Sequence, residues 1–316
     1  MEQPRYHRQE LLIGKNNQKK LQTAKVAIVG AGALGTLSAE LLIRAGIHYL
    51  TIIDRDIVEI TNLQRQISYT EQDVGKSKAN TLKNHLQQIN QNATIIAHAT
   101  HLNTHNINLL KDHDLILDAT DNLQTRFLIN DFAKKYQTPW IYAAGLRDEG
   151  YIMPIYPQGP CLSCFLKPAQ LETCDTSGVF AMTTTIIASI QSYLAIQILI
   201  NNYPQPYLTH VSLKTLSTKN ITIKKAANCP TCTKKYLNFK KSKSDLIQFC
   251  STGRFQRQTT VKIDHVRPRW KKHRDFTEDP LSISLPAITL FRDGRVLIKA
   301  KTKEQAQSVF SKFIGN

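Results

Sequence analysis

The turn Gly30-Ala31-Gly32-Ala33-Leu34-Gly35 constrains the fold more than any other stretch of the chain. It closes the apolar run Lys25–Val29 and opens Leu34–Ala45, where apolar residues recur at helical spacing; Tyr49–Ile53 then reads as a second strand. A strand, a glycine-rich turn, a helix and a strand in that order make a βαβ unit, which requires its strands to run parallel. The alternation continues with a helix over Lys78–Ile89, strands over Thr94–Ala97 and Asp114–Asp118, a helix over Gln124–Tyr136 and a strand over Trp140–Ala143. It predicts an α/β fold with a doubly wound, Rossmann-like, mostly parallel sheet. Beyond Gly145 the pattern changes. Tyr151–Tyr156 and Leu208–Lys224 read as antiparallel strands flanking a Val179–Ile200 helix, an antiparallel extension of the same sheet. Near the end, two apolar runs within Ile288–Ile298 surround Asp293-Gly294, a hairpin signal, and Lys303–Ile314 reads as a closing helix. This predicts a small α+β C-terminal domain. The expected domains are 1–235 and 240–316, with the boundary near Lys234–Lys243.

With 316 residues there is room for one large domain and a small one, and 41% hydrophobic with 21% charged residues is ordinary for a globular chain. The most apolar run, Val179–Ile200, is interrupted by Thr183, Thr184, Thr185, Ser189, Gln191, Ser192 and Gln197, so it reads as a buried helix and not a membrane span. No apolar core of a signal peptide follows Met1. A cytoplasmic location is therefore expected, where the six cysteines serve as thiols, metal ligands or catalysts and not as a disulfide frame. The net charge of +17 is concentrated. Residues 1–223 hold 20 Lys/Arg against 17 Asp/Glu, whereas 224–274 hold 15 against Asp245 and Asp264 alone. A solvated lysine-rich surface explains this segment more economically than an acidic partner or nucleic acid.

In the glycine-rich turn, backbone N–H groups can approach phosphates at a helix N-terminus. Asp54 ends the next strand, where a ribose-hydroxyl acceptor lies in nucleotide folds, although a solvated strand-end turn would also place an acid there. Asn62-Leu63-Gln64-Arg65-Gln66 follows. Arg65, Arg8 and Lys78 are candidate triphosphate ligands; each alone would read as a surface charge, but together with Asn62 and Gln66 they form a set. Phosphates gripped by cations point to cleavage at a phosphate, not to oxidation at a ring. Asp121, at a strand end beside Asn122, suits Mg²⁺; the competing role is the N-cap of the helix that follows.

Cys161-Leu-Ser-Cys164 and Cys229-Pro-Thr-Cys232 are two CxxC pairs with 64 residues between them. Two pairs in one chain favour a closed Cys₄ Zn²⁺ site with a structural role over redox chemistry. Cys174 sits in the polar loop Thr173–Val179 before a helix and reads equally as a nucleophile or as a passive loop cysteine. Cys250, beside Phe249, reads as passive core.

These residues together resemble the ThiF/MoeB/HesA adenylyltransferases, relatives of the ubiquitin-activating enzymes. The matches are Arg5-Tyr6-His7-Arg8-Gln9, Gly30-x-Gly32-x-x-Gly35, Asp54-Arg55-Asp56, Asn62 through Gln66, Val74-Gly75-Lys76-Ser77-Lys78, Ala119-Thr120-Asp121-Asn122, both CxxC pairs, and Cys174 through Val179. They span residues 5–232 in the family's order; Ala119 stands where many relatives have Cys. The tail Leu290–Arg295 with its closing helix looks like the extra domain of some Gram-positive members. The resemblance implies ATP-dependent adenylation of the C-terminal glycine of a ubiquitin-like sulfur carrier protein, for thiamin thiazole or molybdopterin synthesis. It implies that Gly30, Gly32, Gly35 and Asp54 hold the nucleotide, that Asn62, Arg65, Gln66 and Lys78 sit at the phosphates, and that Asp121 organises Mg²⁺. It places Arg8 on the ATP of a neighbouring subunit, hence a homodimer, and Cys174 where some members link covalently to the carrier. The alternatives are an ATP-dependent tRNA-modifying enzyme of the same fold, an NAD-dependent oxidoreductase, and a scaffold without activity. The basic segment leans to the first. The lack of a catalytic His or Tyr beside the switch point, with the Arg65 cluster, counts against the second, and the full set of phosphate and metal residues against the third.

Overall fold

The computed structural model describes residues 5–167, 178–239, 246–248, 254–278, 282–292 and 294–315. The chain divides into two units, Met1–Lys240 and Lys241–Asn316.

The first unit is built on an eight-stranded sheet in the order β3-β2-β1-β4-β5-β6-β7-β8. Its strands are β1 Lys25–Val29, β2 Tyr49–Ile53, β3 Thr94–His98, β4 Leu115–Asp118, β5 Trp140–Leu146, β6 Glu149–Ile155, β7 Tyr207–Ser212 and β8 Ser217–Thr222. The first five run parallel to their neighbours, and β6, β7 and β8 are added antiparallel. The doubly wound sheet with its antiparallel extension is thus the one the alternation predicts. The segment 208–224 differs: it is not one strand but a hairpin of β7 and β8, turning at 213–216, and every residue of β8 is exposed.

Strands β1 and β4 are buried on both faces, as inner parallel strands must be. The two-residue period splits their side chains between two cores. Val26 and Ile28 join Leu42, Ile43, Leu82, Leu86 and Ile187 on one face. Ala27 and Val29 join Phe127, Ile129, Phe132 and Trp140 on the other. The first core is covered by helices α3 (Ala33–Ala45), α4 (Lys78–Ile89) and α7 (Ala181–Leu199), the second by α5 (Leu123–Tyr136) with the short α6 (Leu162–Phe165). At the N-terminus, α1 (His7–Ile13) and α2 (Lys15–Thr23) are separated at Gly14, whose φ of 80° ends the first helix.

Helix α7 is long and apolar enough to cross a membrane by length and composition alone. It packs on the sheet through Ile187, Ala188, Ala195 and Ile198. The helix is not apolar-inward throughout. Thr183, Thr184, Gln191 and Ser192 are buried, while Met182, Ile186 and Tyr193 face out with 36–64% of their surface exposed. The inward polar groups are satisfied. Gln191 Nε2 donates to the Asp118 carbonyl at 2.9 Å, and Ser38 Oγ donates to Gln191 Oε1 at 2.9 Å.

The second unit holds an antiparallel sheet in the order β11-β12-β13-β14-β10-β9. Its strands are β9 Leu246–Gln248, β10 Arg254–Gln258, β11 Thr277–Glu278, β12 Ser282–Leu285, β13 Ile288–Phe291 and β14 Arg295–Lys299; its helices are α8 (Ile263–Trp270) and α9 (Lys303–Phe313). The expected hairpin and closing helix are present as β13–β14 and α9. What the charge run concealed is α8, whose Ile263, Val266 and Trp270 line one face at helical spacing and reach a core with Phe255, Val296, Ile298 and Phe310.

Chain order places β2 and β3 to one side of β1 and β4 to the other. The switch between β1 and β4 opens a crevice at their carboxyl ends. There the backbones nearly touch: a Cβ on Gly30 would overlap the Ala119 carbonyl, and one on Gly35 would overlap the Gly30 carbonyl. Gly30 has φ of 100°, a second reason for glycine. Gly35→Ala should therefore lower the unfolding free energy by about 2 kcal/mol or more in a urea titration; an unchanged midpoint would mean that helix and turn do not pack this closely.

Candidate nucleotide site and cysteine cluster

The site is assembled around the turn that follows β1. Asp54, at the end of β2, accepts the Ala31 N–H on Oδ2 at 2.6 Å and the Asp56 N–H on Oδ1 at 2.6 Å. Burial, and then the Asp56 carboxylate, pushes the Asp54 carboxyl above its ordinary range, against the pull of Lys78 and the two N–H bonds. Lys78 begins α4 behind its N-cap Ser77, and its ammonium is buried 3.8 Å from Asp56 Oδ2. Tyr69 ties these pieces together, its hydroxyl facing the Ala31 carbonyl at 2.9 Å and the Lys78 carbonyl at 3.1 Å. Its own ionisation is pushed well up by burial and by Asp54, Asp56 and Asp73.

Gly32 differs from its two partners in the turn. Its φ of −87° suits any residue, and a Cβ there would meet only Gln66 Nε2, at 3.9 Å. No packing requires glycine at this position; what the missing side chain leaves is open space at the N-terminus of α3. Gln66 borders that space. It is 3% exposed, and its Oε1 has no hydrogen-bond partner. Open volume at a helix N-terminus beside an orphaned amide oxygen is what a bound polar ligand would complete.

Asn62 is buried close by, and its Oδ1 accepts the Glu59 N–H at 3.0 Å in a capping box, which leaves its amide N–H₂ as the group to offer a ligand. Arg65 is less engaged. It donates to the Thr61 carbonyl at 3.0 Å and has no ion pair among the described residues. On the other side of the crevice Asn122, not Asp121, caps α5, its side chain accepting the Thr125 N–H at 2.8 Å. Asp121 is exposed and makes no hydrogen bond or ion pair with the described residues. The competing helix-cap role is thus filled by its neighbour, and the Asp121 carboxylate is left available.

Arg8 stands apart. It is exposed on α1, whose next residue, Gln9, donates to the Ala45 carbonyl at the far end of α3. Thirteen residues of α3 separate that end from Gly32, about 20 Å of helix. The structure therefore brings Gly30, Gly32, Gly35, Asp54, Asn62, Gln66 and Lys78 together, sets Arg65 and Asp121 at the margins, and does not bring Arg8 to this chain's crevice. Cys174 and Cys250 lie outside the described residues.

A buried ion pair three residues before Asp121 leaves no mark in the sequence pattern. Asp118, fully buried at the end of β4, faces Arg126 of α5 with Oδ2 3.3 Å from Nε. Burial pushes the Asp118 carboxyl up, with Arg126 as the chief opposing influence. The only available signal was the i, i+4 spacing of Asn122 and Arg126 on one helix.

The two CxxC pairs, distant in sequence, converge. The four sulfurs of Cys161, Cys164, Cys229 and Cys232 lie within 4.8 Å of one another. Sγ–Sγ separations are 3.8 Å for Cys161–Cys164, 3.5 Å for Cys161–Cys229, and 3.6 Å for both Cys164–Cys232 and Cys161–Cys232. A tetrahedron with metal–sulfur bonds of about 2.3 Å has edges of about 3.8 Å. The set can hold a metal such as zinc, with no position left open. Helix α5 supports it: Asn130 Nδ2 reaches Cys161 Sγ at 3.6 Å and Thr231 Oγ1 at 3.2 Å, and Thr231 Oγ1 donates to the buried Asp131 at 2.6 Å.

Comparison with known proteins follows the same lines. Residues 6–231 match the ThiF family. A sulfur carrier protein ThiS adenylyltransferase of Bacillus subtilis is 34% identical over 334 aligned positions, covering 98% of this chain and 99% of that protein. A sulfur carrier protein adenylyltransferase of Thermus thermophilus is 31% identical over 244, covering 72% and 90%. The crystal structure of E. coli MccB with ATP superposes with a TM-score of 0.64 over 73% of this chain and 75% of that chain, at 23% identity, a likeness of fold alone.

Treatment with a metal chelator, or Cys229→Ser, should lower the melting temperature by roughly 5–10 °C in a thermal scan. A metal-free protein that melts where the untreated one does would end the structural reading of the cluster.

Proposed function

The chain belongs to the ThiF family, and from that premise we propose that it uses ATP to adenylate the C-terminal glycine carboxylate of a small ubiquitin-like sulfur carrier. The observation that carries this reading is the end-to-end match, over 98% of the chain, to a protein named for that reaction. The carrier is of the ThiS type, which directs the sulfur toward the thiazole of thiamin.

In the reaction, a carboxylate oxygen of the terminal glycine attacks the α-phosphorus of ATP. The bond to the bridging oxygen breaks, pyrophosphate leaves with the electron pair, and the product is a mixed anhydride with AMP. The attacking carboxylate is ionised at neutral pH, so no general base is needed. This agrees with a crevice that, among the described residues, contains donors, a lysine and acids but no acid and base placed to exchange a proton with the substrate. The chain's part is to bind, orient and neutralise.

The turn at Gly30–Gly35 offers its N–H groups and the open space over Gly32 to the phosphates. Asp54 keeps lone pairs for ribose hydroxyls after accepting two backbone N–H bonds. Lys78, Arg65 and the Asn62 amide face the phosphates as donors. Mg²⁺ on Asp121 would neutralise phosphate charge and orient the leaving group. Zn²⁺ is the metal assigned to the four cysteines, as a closed structural site. Arg8 serves a second copy of the chain; its exposure at the far end of α3, beside Leu11 and Leu12 with 76% and 86% of their surfaces open, supports a homodimer.

The tRNA-modifying alternative draws on the exposed Arg269, Lys271, Lys272 and Arg274 of the second unit. Among its described residues that unit exposes no large apolar side chain on which a base could stack. Binding of tRNA that falls steeply with salt would favour the alternative over the carrier.

The direct test is ATP–pyrophosphate exchange with purified carriers added singly; silence with all of them rejects the reading. Asp121→Ala should cut carrier-dependent exchange by about 100-fold or more without moving the melting temperature, and retained exchange would remove Asp121 from the chemistry. Gly32→Ala should fold normally yet weaken ATP binding about tenfold by calorimetry, because a methyl group enters the space the phosphates need; full affinity would place them elsewhere.

A further inference from the structure

We propose that Asp118 and Arg126 are positioning residues for this reaction: a buried ion pair that holds the Ala119–Asp121 turn and so aims the Asp121 carboxylate. The inference rests on the adenylation reading above. The two residues surround one peptide unit after another. Asp118 Oδ1 accepts the Thr120 N–H at 2.9 Å and the Thr120 hydroxyl at 2.7 Å. From the other side, Arg126 Nη2 donates to the Thr120 carbonyl and, at 3.1 Å, to the Ala143 carbonyl of β5. The Thr120 carbonyl belongs to the peptide whose nitrogen is that of Asp121. Both peptide planes leading into Asp121 are thus fixed by charged side chains. The Asp121 side chain itself has no described partner, so its direction is inherited from its backbone.

Stability does not account for the pair. Asp118 is fully buried and Arg126 is 9% exposed. A buried ion pair is commonly no better for stability than apolar side chains of the same volume, because desolvation offsets the attraction. Its distinctive property here is direction. A guanidinium presents donors in a fixed plane, and this one spans β4, β5 and the turn between β4 and α5, with the Tyr142 ring 5.1 Å from its central carbon. The turn is also in contact with the nucleotide loop. The Ala119 N–H donates to the Val29 carbonyl at 2.8 Å, and the Ala119 carbonyl occupies the place a Gly30 side chain would take. From the opposite face, Gln191 Nε2 holds the Asp118 carbonyl. Packed against that loop, the turn has a fixed seat at the crevice, and loss of the pair would let the Asp121 carboxylate swing from its direction while the loop stays in place.

The test compares wild type, Asp121→Ala, the double variant Asp118→Asn with Arg126→Gln, and the triple variant. The double variant removes both buried charges and leaves neither ion unpaired, so it is expected to fold, which a thermal scan checks. Each protein is assayed for pyrophosphate exchange with ATP and a Gly-Gly-terminated ThiS-type carrier, resolving kcat from KM. The expected result for the double variant is a loss of about 100-fold in kcat with KM for ATP changed less than about threefold. In the triple variant kcat should fall no further than with Asp121→Ala alone, because the pair acts through that carboxylate. A wild-type kcat in the double variant overturns the proposal. So does a triple-variant loss equal to the product of the separate losses, which marks a role independent of Asp121. Wild-type protein silent with every carrier removes the adenylation reading, and this proposal with it.

Discussion

The close approach of two backbone turns governs the first unit. Gly30 and Ala119 meet with no room for a methyl group between them. Strands β1 and β4 are buried on both faces, so their carboxyl ends are where the inner sheet can be reached by a ligand. With the two turns in contact, the groups hung on each share one crevice. Asp54, Tyr69, Gln66 and Lys78 are tied to the first turn directly or through one another, and Asp121 belongs to the second. A longer side chain at Gly30 or Gly35 would separate the sets.

Helix α5 carries the same logic across the unit. Its N-cap Asn122 and first-turn Arg126 stand at the crevice, and about two turns along Asn130 and Asp131 hold the cysteine cluster. Lys134, on the same helix, donates to the carbonyls of Tyr156, Pro157 and Gly159 at 2.6–2.9 Å, just before the first CxxC pair. Sequence-distant cysteines can meet because one rigid element anchors both of their loops. Metal binding at the cluster would therefore bear on a helix whose other end shapes the crevice.

The parallel sheet was legible because each strand and helix carries its own period and its own turn chemistry. Lys78–Ile89 and Lys25–Val29 have the bounds the pattern gives. The hairpin of β7 and β8 was not, because β8 is exposed on both faces and Ser217–Thr222 has no apolar alternation to show. Helix α8 was hidden by its cations, although Ile263, Val266 and Trp270 keep the spacing. In the crevice, residue types pointed to Asp54, Gln66 and Lys78. Arg126 gave no comparable sign: a charged residue inside a helix pattern reads as solvated until the fold turns it inward. The inward polar face of α7 was illegible for a like reason, since Gln191 finds its partners on α3, β4 and β5, all remote in sequence.

Charge counting explains why such a site calls on cations beyond its own. Asp54, Asp56 and Asp121 supply three carboxylates near the crevice; Lys78, Arg55 and Arg65 supply three cations, of which Lys78 and Arg55 already face Asp56. The set leaves no positive surplus to meet a triphosphate. Burial beside Asp56 even pushes the Asp54 carboxyl toward its neutral form, which relieves local repulsion and not that of the phosphates. Stabilising charge that develops on a leaving pyrophosphate then requires cations from outside this set. The proposed dication on Asp121, which has no partner among the described residues, is one such source, and the proposed Arg8 of a second chain is another. A crevice whose own charges cancel thus depends, under the adenylation reading proposed above, on cations brought from outside it.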